Sequence, residues 1–264
     1  MPPRRRRQAP PTIPVPSSLC HVLKEDPELA DPIPPERRQR AIEDCTAPEL
    51  RIPPGPLARN GSLGFRGGLG VLVLSGLMIR RVGIEGRCGA ELIGDGDLLR
   101  PSDEAVSPLL PLTTDWTVLL PARLAALDFA FEQHLAEYPE LARSLVGRAI
   151  QRSKNLAVNM AIVHQARVDV RLHMLLWHLA ARWGRVRSDG TVLRLRLTHA
   201  VLADLVAARR PTVTTALSEL TRRGLVRTDG ETWVLPGEAP SDLIAFAHAA
   251  GNEEGHPPAR PELN

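Results

Sequence analysis

The spacing of apolar residues changes character along the chain, and each change predicts a different element. PERRQRAIEDCTA (35–47) places a proline near a first turn ahead of helix-forming residues, which predicts a short helix. ELRIPPGPL (49–57) predicts an extended segment closed by a Pro-Gly turn. From Gly67 through GDGDLL, β-branched and leucine runs are cut by glycine at short intervals, which predicts strands joined by tight turns in an antiparallel unit. TTDWTVLL (113–120) predicts one further strand, and Pro121 opens a different kind of text.

From Pro121 to Gly184 there is no glycine except Gly147, and the apolar spacing is helical. Leu141, Leu145, Leu156, Met160 and Val163 recur at steps of mostly three or four, with Arg148 and Arg152 inside the stripe. A long helix with so narrow a stripe packs against another helix. The cover is either the helix's own domain or the same helix of a second copy, and we read the second copy, because a β unit of this size has little spare face to cover it. A second helix is predicted over RVDVRLHMLLWHLAARW (167–183), ending at Gly184. His173 and His178 lie on it without a third ligand at metal spacing, so they are read as core or interface histidines. Asp189-Gly190 predicts a hairpin turn between VRS and TVLRLRL.

The sharpest pattern is ARRPTVTTALSELTRRGL (208–225). Thr198 can cap a helix through HAVLADLVAA (199–208), Arg209 and Arg210 make a turn, and Pro211 takes the first position of the next helix. Leu202, Leu205, Val206, Val213, Leu217 and Leu220 are the inward positions that would lock the two helices. Arg210, Thr212, Thr214, Thr215 and Ser218 are left on the outer face. In a helix-turn-helix the second helix enters the major groove by its N-terminal end. There arginine pairs with guanine, threonine methyls meet thymine methyls, and hydroxyls and helix N–H groups hold phosphates. Arg222 and Arg223 lie at the far end, suited to phosphates or to the helix C-terminus. LVRTDGETWVL (225–235) then reads as strand, Asp-Gly turn and strand, the wing of a winged helix, and Arg227 on it joins the DNA-contact set.

Composition supports this placement. A length of 264 residues allows two modest domains. The net charge of +3 is uneven: residues 1–18 carry +4, 19–127 carry −3, 128–164 are neutral, 165–240 carry +5 and 241–264 carry −3. The positive block of the folded part therefore coincides with the winged-helix text, as a nucleic-acid module requires. Cys20, Cys45 and Cys88 are scattered and odd in number, which argues against a disulfide framework and for a reducing cytoplasm. GVLVLSGLMI (70–79) is too short for a membrane span, and MPPRRRRQAPPTIPVPSS lacks the apolar core of a signal peptide and reads as a disordered arm.

On these residues, LTHAVLADLVAARRPTVTTALSELTRRGLVRTDGETWVLPG resembles the DNA-binding domain of the Crp/Fnr superfamily of cyclic-AMP receptor and fumarate–nitrate regulators. GLGVLVLSGLMIRRV, GAELIGDGDLLRP and WTVLLPARLAALD resemble the family's cyclic-nucleotide-binding-type β-roll, and 128–164 its dimerisation helix. The resemblance implies an α+β chain. An arm (1–18) precedes a jelly-roll-like antiparallel β-roll sensor (19–127), a long dimerisation helix (128–164), a C-terminal winged helix-turn-helix (165–238) and a tail (239–264). It also implies a homodimer on a roughly palindromic double-stranded operator, in the cytoplasm, with RNA polymerase a further candidate partner and no membrane. By position Arg210 and Thr215 match base readers, as does the location of Pro211, where the family's usual acidic residue is missing; Thr198 and Arg209 match phosphate contacts.

The sensor half departs from the family. Cyclic-nucleotide binders place an arginine after the Gly-Asp turn to neutralise the phosphate. Here RPSDEAVSPLLPLTTDW follows, with no Arg or Lys between Arg100 and Arg123 and acids at 103–104. Cyclic AMP is therefore not the expected ligand, the β-roll either senses an unidentified effector or serves as a structural platform, and three scattered cysteines supply no iron–sulfur cluster. No cofactor is expected. No carboxylate pair, nucleophile–base set or phosphate loop marks an enzyme. The alternative from another class is a ligand-binding or protein-docking module using the winged helix as its surface; exposed apolar residues would then be expected where the arginine–hydroxyl face stands.

Overall fold

The computed structural model describes residues 16–57, 68–84, 87–100, 112–229 and 232–239. Most of the N-terminal arm, the acidic segment after Arg100 (101–111) and the C-terminal tail beyond 239 lie outside these residues. The chain divides into two compact units, Met1–Leu156 and Ala157–Asn264.

In the first unit β1 (Pro16–His21) leads into a one-turn helix α1 (Val22–Glu25), a 3-10 turn and helix α2 (Pro35–Asp44). There follow β2 (Thr46–Ile52), β3 (Gly55–Pro56), β4 (Gly70–Ile84), β5 (Arg87–Gly94), β6 (Leu98–Leu99) and β7 (Leu112–Leu127). They form an antiparallel sheet in the order β1-β2-β7-β4-β5, with β3 added to β7 and β6 to β4. The first strand takes residues 16–18 out of the expected arm: Pro16 to His21 pair with Leu50 to Thr46.

β7 corrects the reading of Pro121 as the end of the strand. The strand continues through PARLAAL to Leu127, because this part of the sheet is covered on both faces. Val71, Val73, Leu124 and Ala126 point into a core shared with Ile52, Met78, Ile93 and Trp116. Their neighbours Leu72, Ala125 and Leu127 meet Leu23, Phe131, Leu141 and Leu145 from the helices. A strand buried on both faces loses its alternation and reads like buried helix. Pro121 is accommodated at an irregularity, where Ser75 pairs with Arg123 and Leu77 with Leu120. Gly76 faces it at φ +112°, and a Cβ there would lie 2.5 Å from the Pro121 carbonyl oxygen.

The expected single helix after residue 128 is two. Asp128 accepts from the Phe131 N–H at 3.0 Å and caps α3 (Phe129–Glu137). Tyr138 breaks the run ahead of Pro139, whose ring disfavours helical backbone at the preceding residue, and α4 (Pro139–Val163) starts anew. The predicted seam also divides. Leu141 and Leu145 are buried in their own unit, contrary to their assignment to a dimer seam, whereas Met160 is 65% exposed.

Arginines fasten the helical layer within itself and to the sheet. Arg148 reaches Asp26 at 3.0 Å and Glu28 at 2.8 Å, and Arg123 on β7 pairs with Glu25 at 2.9 Å and Glu49 at 2.9 Å. The hydrogen bonds from Arg123, followed by those from Arg51, hold the Glu49 carboxyl at about 2 against an ordinary 4.5. Burial pushes the Cys20 thiol up to about 11 and that of Cys45 up to about 12.

In the second unit α5 (Val168–Trp183) precedes a hairpin of β8 (Gly184–Arg187) and β9 (Gly190–Leu193), then α6 (His199–Leu205) and α7 (Arg210–Arg222). A second hairpin, β10 (Arg227–Asp229) and β11 (Thr232–Leu235), completes a four-stranded sheet in the order β10-β11-β9-β8. β9 stops at Leu193, short of the predicted TVLRLRL, although Leu195 and Leu197 remain buried and the Leu195 carbonyl accepts from Trp233 Nε1 at 3.1 Å.

Glu49 generates a pH prediction. A carboxylate depressed in the folded state contributes stability above its unfolded value, lost as pH falls from about 4.5 to about 2. The Glu49→Gln variant should be less stable at pH 7 by on the order of 3 kcal/mol. Its urea midpoint should also fall less steeply across that window than that of the parent; parallel pH profiles would refute the assignment.

Candidate nucleic-acid interface

The interface is built on the apolar seams of three helices. Leu172, Leu175, Leu176 and Leu179 of α5 are buried, as are Val201, Leu202 and Leu205 of α6 and Val213, Ala216, Leu217 and Leu220 of α7. All six positions read from the sequence as the lock between the two helices are inside. Each such leucine contributes about 1.5–3 kcal/mol by leaving water, enough to fix the helix crossing against solvent competition for the polar face.

Local chemistry sets the ends. Thr198 is the N-cap of α6, its hydroxyl oxygen accepting from the Val201 N–H at 3.2 Å. The helix ends at Leu205, earlier than the predicted 208, and Ala207 turns the chain at φ +49°. Arg209 is the N-cap of α7, Arg210 its first residue and Pro211 its second, so the helix starts one residue before the predicted position. A missing N–H is equally harmless at either place, because the first turn has no carbonyl partners within the helix.

Thr198, Arg209, Arg210, Thr212, Thr214, Thr215, Ser218, Arg222 and Arg227 are all exposed, yet their bonding divides them. Arg209 and Arg210 make no ion pair among the described residues and stand beside the open N–H end of α7, which has no side-chain cap. The hydroxyls of Thr214, Thr215 and Ser218 donate to the carbonyls of Arg210, Pro211 and Thr214 at 3.1, 3.2 and 3.0 Å. Their protons are therefore committed, and what they turn outward is oxygen lone pairs and methyl groups. Arg222 is closed into a two-point pair with Glu219 at 2.9 and 2.7 Å. Arg227 donates to the Asp189 carbonyl at 3.2 Å and so ties the two hairpins together.

Two residues of this assembly went unnoticed in the sequence. His199 Nδ1 lies 2.9 Å from Thr214 Oγ1; since that hydroxyl donates to Arg210, the imidazole nitrogen is the donor. Arg171 of α5 donates from Nη1 to the carbonyl of Val206 at 3.1 Å and from Nε to that of Gln165 at 2.6 Å. It thereby satisfies a carbonyl at the end of α6 and holds the turn between the two helices. Asp169, paired with Arg167 at 2.7 Å, lies 3.6 Å from Arg223 at the end of α7. The only sequence cue was an arginine two residues after an acid at the start of a helix, which is common on any surface. His173 accepts from Trp177 Nε1 at 3.0 Å, and burial holds the His178 imidazole at about 4, so both act as neutral packing groups.

Comparison with known proteins agrees with this geometry. Residues 170–236 match the family model described as a Crp-like helix-turn-helix domain. The second unit carries a Crp-like helix-turn-helix. The chain is 31% identical over 124 residues to the CRP-like cAMP-activated global transcriptional regulator of Mycobacterium tuberculosis, a stretch covering 46% of this chain and 54% of the relative. It thus spans about half the length of the curated relatives it matches. Among solved structures, a CooA mutant from Carboxydothermus hydrogenoformans aligns at TM-score 0.57 and 18% identity, covering 77% of this chain and 88% of that one. A cyclic nucleotide-binding domain containing protein from Listeria monocytogenes aligns at 0.56 and 14%, over 70% and 87%. A transcriptional regulator of the CRP family from Thermus thermophilus aligns at 0.51 and 19%, over 76% and 96%. At such identities the structures speak for the fold alone, and that fold is the α+β arrangement of antiparallel sheet and C-terminal helix-turn-helix expected from the sequence. Among the described residues, no group of three His, Cys, Asp or Glu could hold a metal, and no helix is long and apolar enough to cross a membrane.

The Thr198 cap of the Crp-like domain is directly testable. Thr198→Ala should cost about 1 kcal/mol of stability and Thr198→Ser almost nothing. Equal urea midpoints for Thr198→Ala and the parent would show that the hydroxyl does not cap α6.

Proposed function

We propose that the protein is a sequence-specific DNA-binding transcription regulator of the Crp/Fnr type that binds a roughly palindromic operator as a homodimer in the cytoplasm. The observation that carries this reading is the pair of uncommitted guanidinium groups, Arg209 and Arg210, at the open N-terminal end of α7. Every other arginine in the proposed contact set already has a partner within the chain. Arg210 reads guanine, Arg209 and Thr198 hold phosphates, and Thr212, Thr214, Thr215 and Ser218 line the groove-facing surface. Arg222 and Arg227 serve the backbone only after exchanging an internal acceptor for a phosphate, so they rank below the first pair. A protein-docking role is disfavoured by the same face, since the apolar residues of α7 are all turned inward.

For the dimer, the exposed face of α4 offers a seam that keeps only Met160 of the one first expected. Val146, Ile150, Ser153, Ala157 and Met160 are exposed and follow one another at steps of four, three, four and three. That is a heptad seam, with small residues at its middle that allow close approach. A second copy of the same helix is the partner whose chemistry fits. Regulation is independent of cyclic AMP in this reading: no basic residue occurs between Arg100 and Arg123 to receive its phosphate.

In competition gel shifts, Arg210→Ala should lose about 5- to 150-fold in preference for the selected operator over random DNA. An equal loss on all sequences would reduce Arg210 to a phosphate contact, and a parent protein without any preference would refute the regulator. Ile150→Glu should weaken self-association by at least about 100-fold in sedimentation, with operator binding lost in parallel; a dimer surviving this change would place the interface elsewhere.

A further inference from the structure

One row across the first-unit sheet is built unlike its neighbours. Arg80 on β4 stands directly between Glu91 on β5 and Trp116 on β7 in the strand register. Its guanidinium lies over the Trp116 ring at 5.7 Å and meets the Glu91 carboxylate at 2.5 Å. Arg152 of α4 comes onto the same carboxylate oxygen at 2.6 Å. The Glu91 side chain is 6% exposed, against 21% for Arg80 and 20% for Arg152. A single buried anion is thus gripped by two cations, one from the sheet and one from the helix.

Two guanidinium groups brought this close repel each other unless an anion lies between them, and neither can relieve the repulsion by losing a proton. The anion is therefore what lets Arg152 sit where it does. Arg148, one turn earlier on α4, is held by two acids, Asp26 and Glu28, at the turn that follows α1. We propose that Glu91 is a built-in anion that seats α4 on the sheet, so that this part of α4 takes its place with no small-molecule ligand bound. The inference rests on the DNA-reading function only in its consequence: operator binding needs no added effector. It also predicts a latent site, because removing the carboxylate leaves a two-arginine socket shaped for a small carboxylate.

The test uses the full chain with Glu91→Ala and, as a variant that keeps the side-chain shape, Glu91→Gln. Glu91→Ala should lower Tm by on the order of 10 °C. Formate or acetate at constant ionic strength should restore much of that loss, while chloride should not; the parent should respond to none of them specifically. Should Glu91→Ala fail to fold, the cycle of Glu91→Gln and Arg152→Met decides. The double variant should be less destabilised than the sum of the two singles, because Arg152→Met removes one of the two guanidinium groups that Glu91→Gln leaves facing each other. A Tm unchanged on loss of Glu91, rescue by chloride equal to that by formate, or additive variants would overturn the proposal. So would a parent whose operator affinity rises more than about tenfold on adding cyclic AMP. These thermal readouts involve no DNA: a protein without operator preference but with formate rescue would defeat the regulator reading and uphold this one.

Discussion

A guanidinium group keeps its charge at any pH the fold survives, so an arginine drawn toward the interior must bring an acceptor with it. With 31 arginines and 2 lysines among its 33 basic residues, this chain meets that constraint repeatedly. In the first unit Arg123 is held by Glu25 and Glu49, Arg148 by Asp26 and Glu28, and Arg80 and Arg152 by Glu91. In the second, Arg167 and Arg223 share Asp169, and Arg171 takes two backbone carbonyls. The helices are thus positioned by charge-assisted bonds as well as by apolar contact. Arg209 and Arg210 stay outside that constraint: both are exposed, and neither makes an ion pair among the described residues.

The apolar framework explains why they can remain free. Val213, Leu217 and Leu220 anchor α7 from below, so its outer face carries none of the burden of folding. The turn before it is held by the Arg171 bond to Val206, which presents the N-terminal end of α7 without using any group on that end. The hydroxyl side chains are quietened in the same economical way, bonded to their own helix and offering acceptors outward. Donors at the tip and acceptors along the face form a surface with polarity, suited to a partner that presents both phosphate and base edges.

Where the sequence was legible, one physical pattern dominated one face. The inward positions from Leu202 to Leu220, the Thr198 cap and the Asp189-Gly190 turn were readable because helix period, cap chemistry and turn chemistry are local. Where it misled, the cause lay at a distance in the chain. PARLAAL looks helical because burial on both faces of β7 erases the alternation that marks a strand. Leu141 and Leu145 looked like a dimer seam because periodicity says that a face is buried, not what covers it; Phe131 and Leu23 of the same unit cover it.

By itself, then, the sequence determined the order of elements in the second unit, the helix-turn-helix within it, the positive charge that accompanies it and the exposed arginine–hydroxyl face of α7. The tertiary structure decided which of the nine candidate contacts are free and which are already engaged. It also decided that the free stripe of α4 runs through Val146, Ile150 and Met160. The reason is common to both: charge and period are carried by the residue and its near neighbours, but the partner of an arginine or the cover of a leucine is whatever the folded chain brings to it, and in Arg152 and Glu91 that partner is 61 positions away.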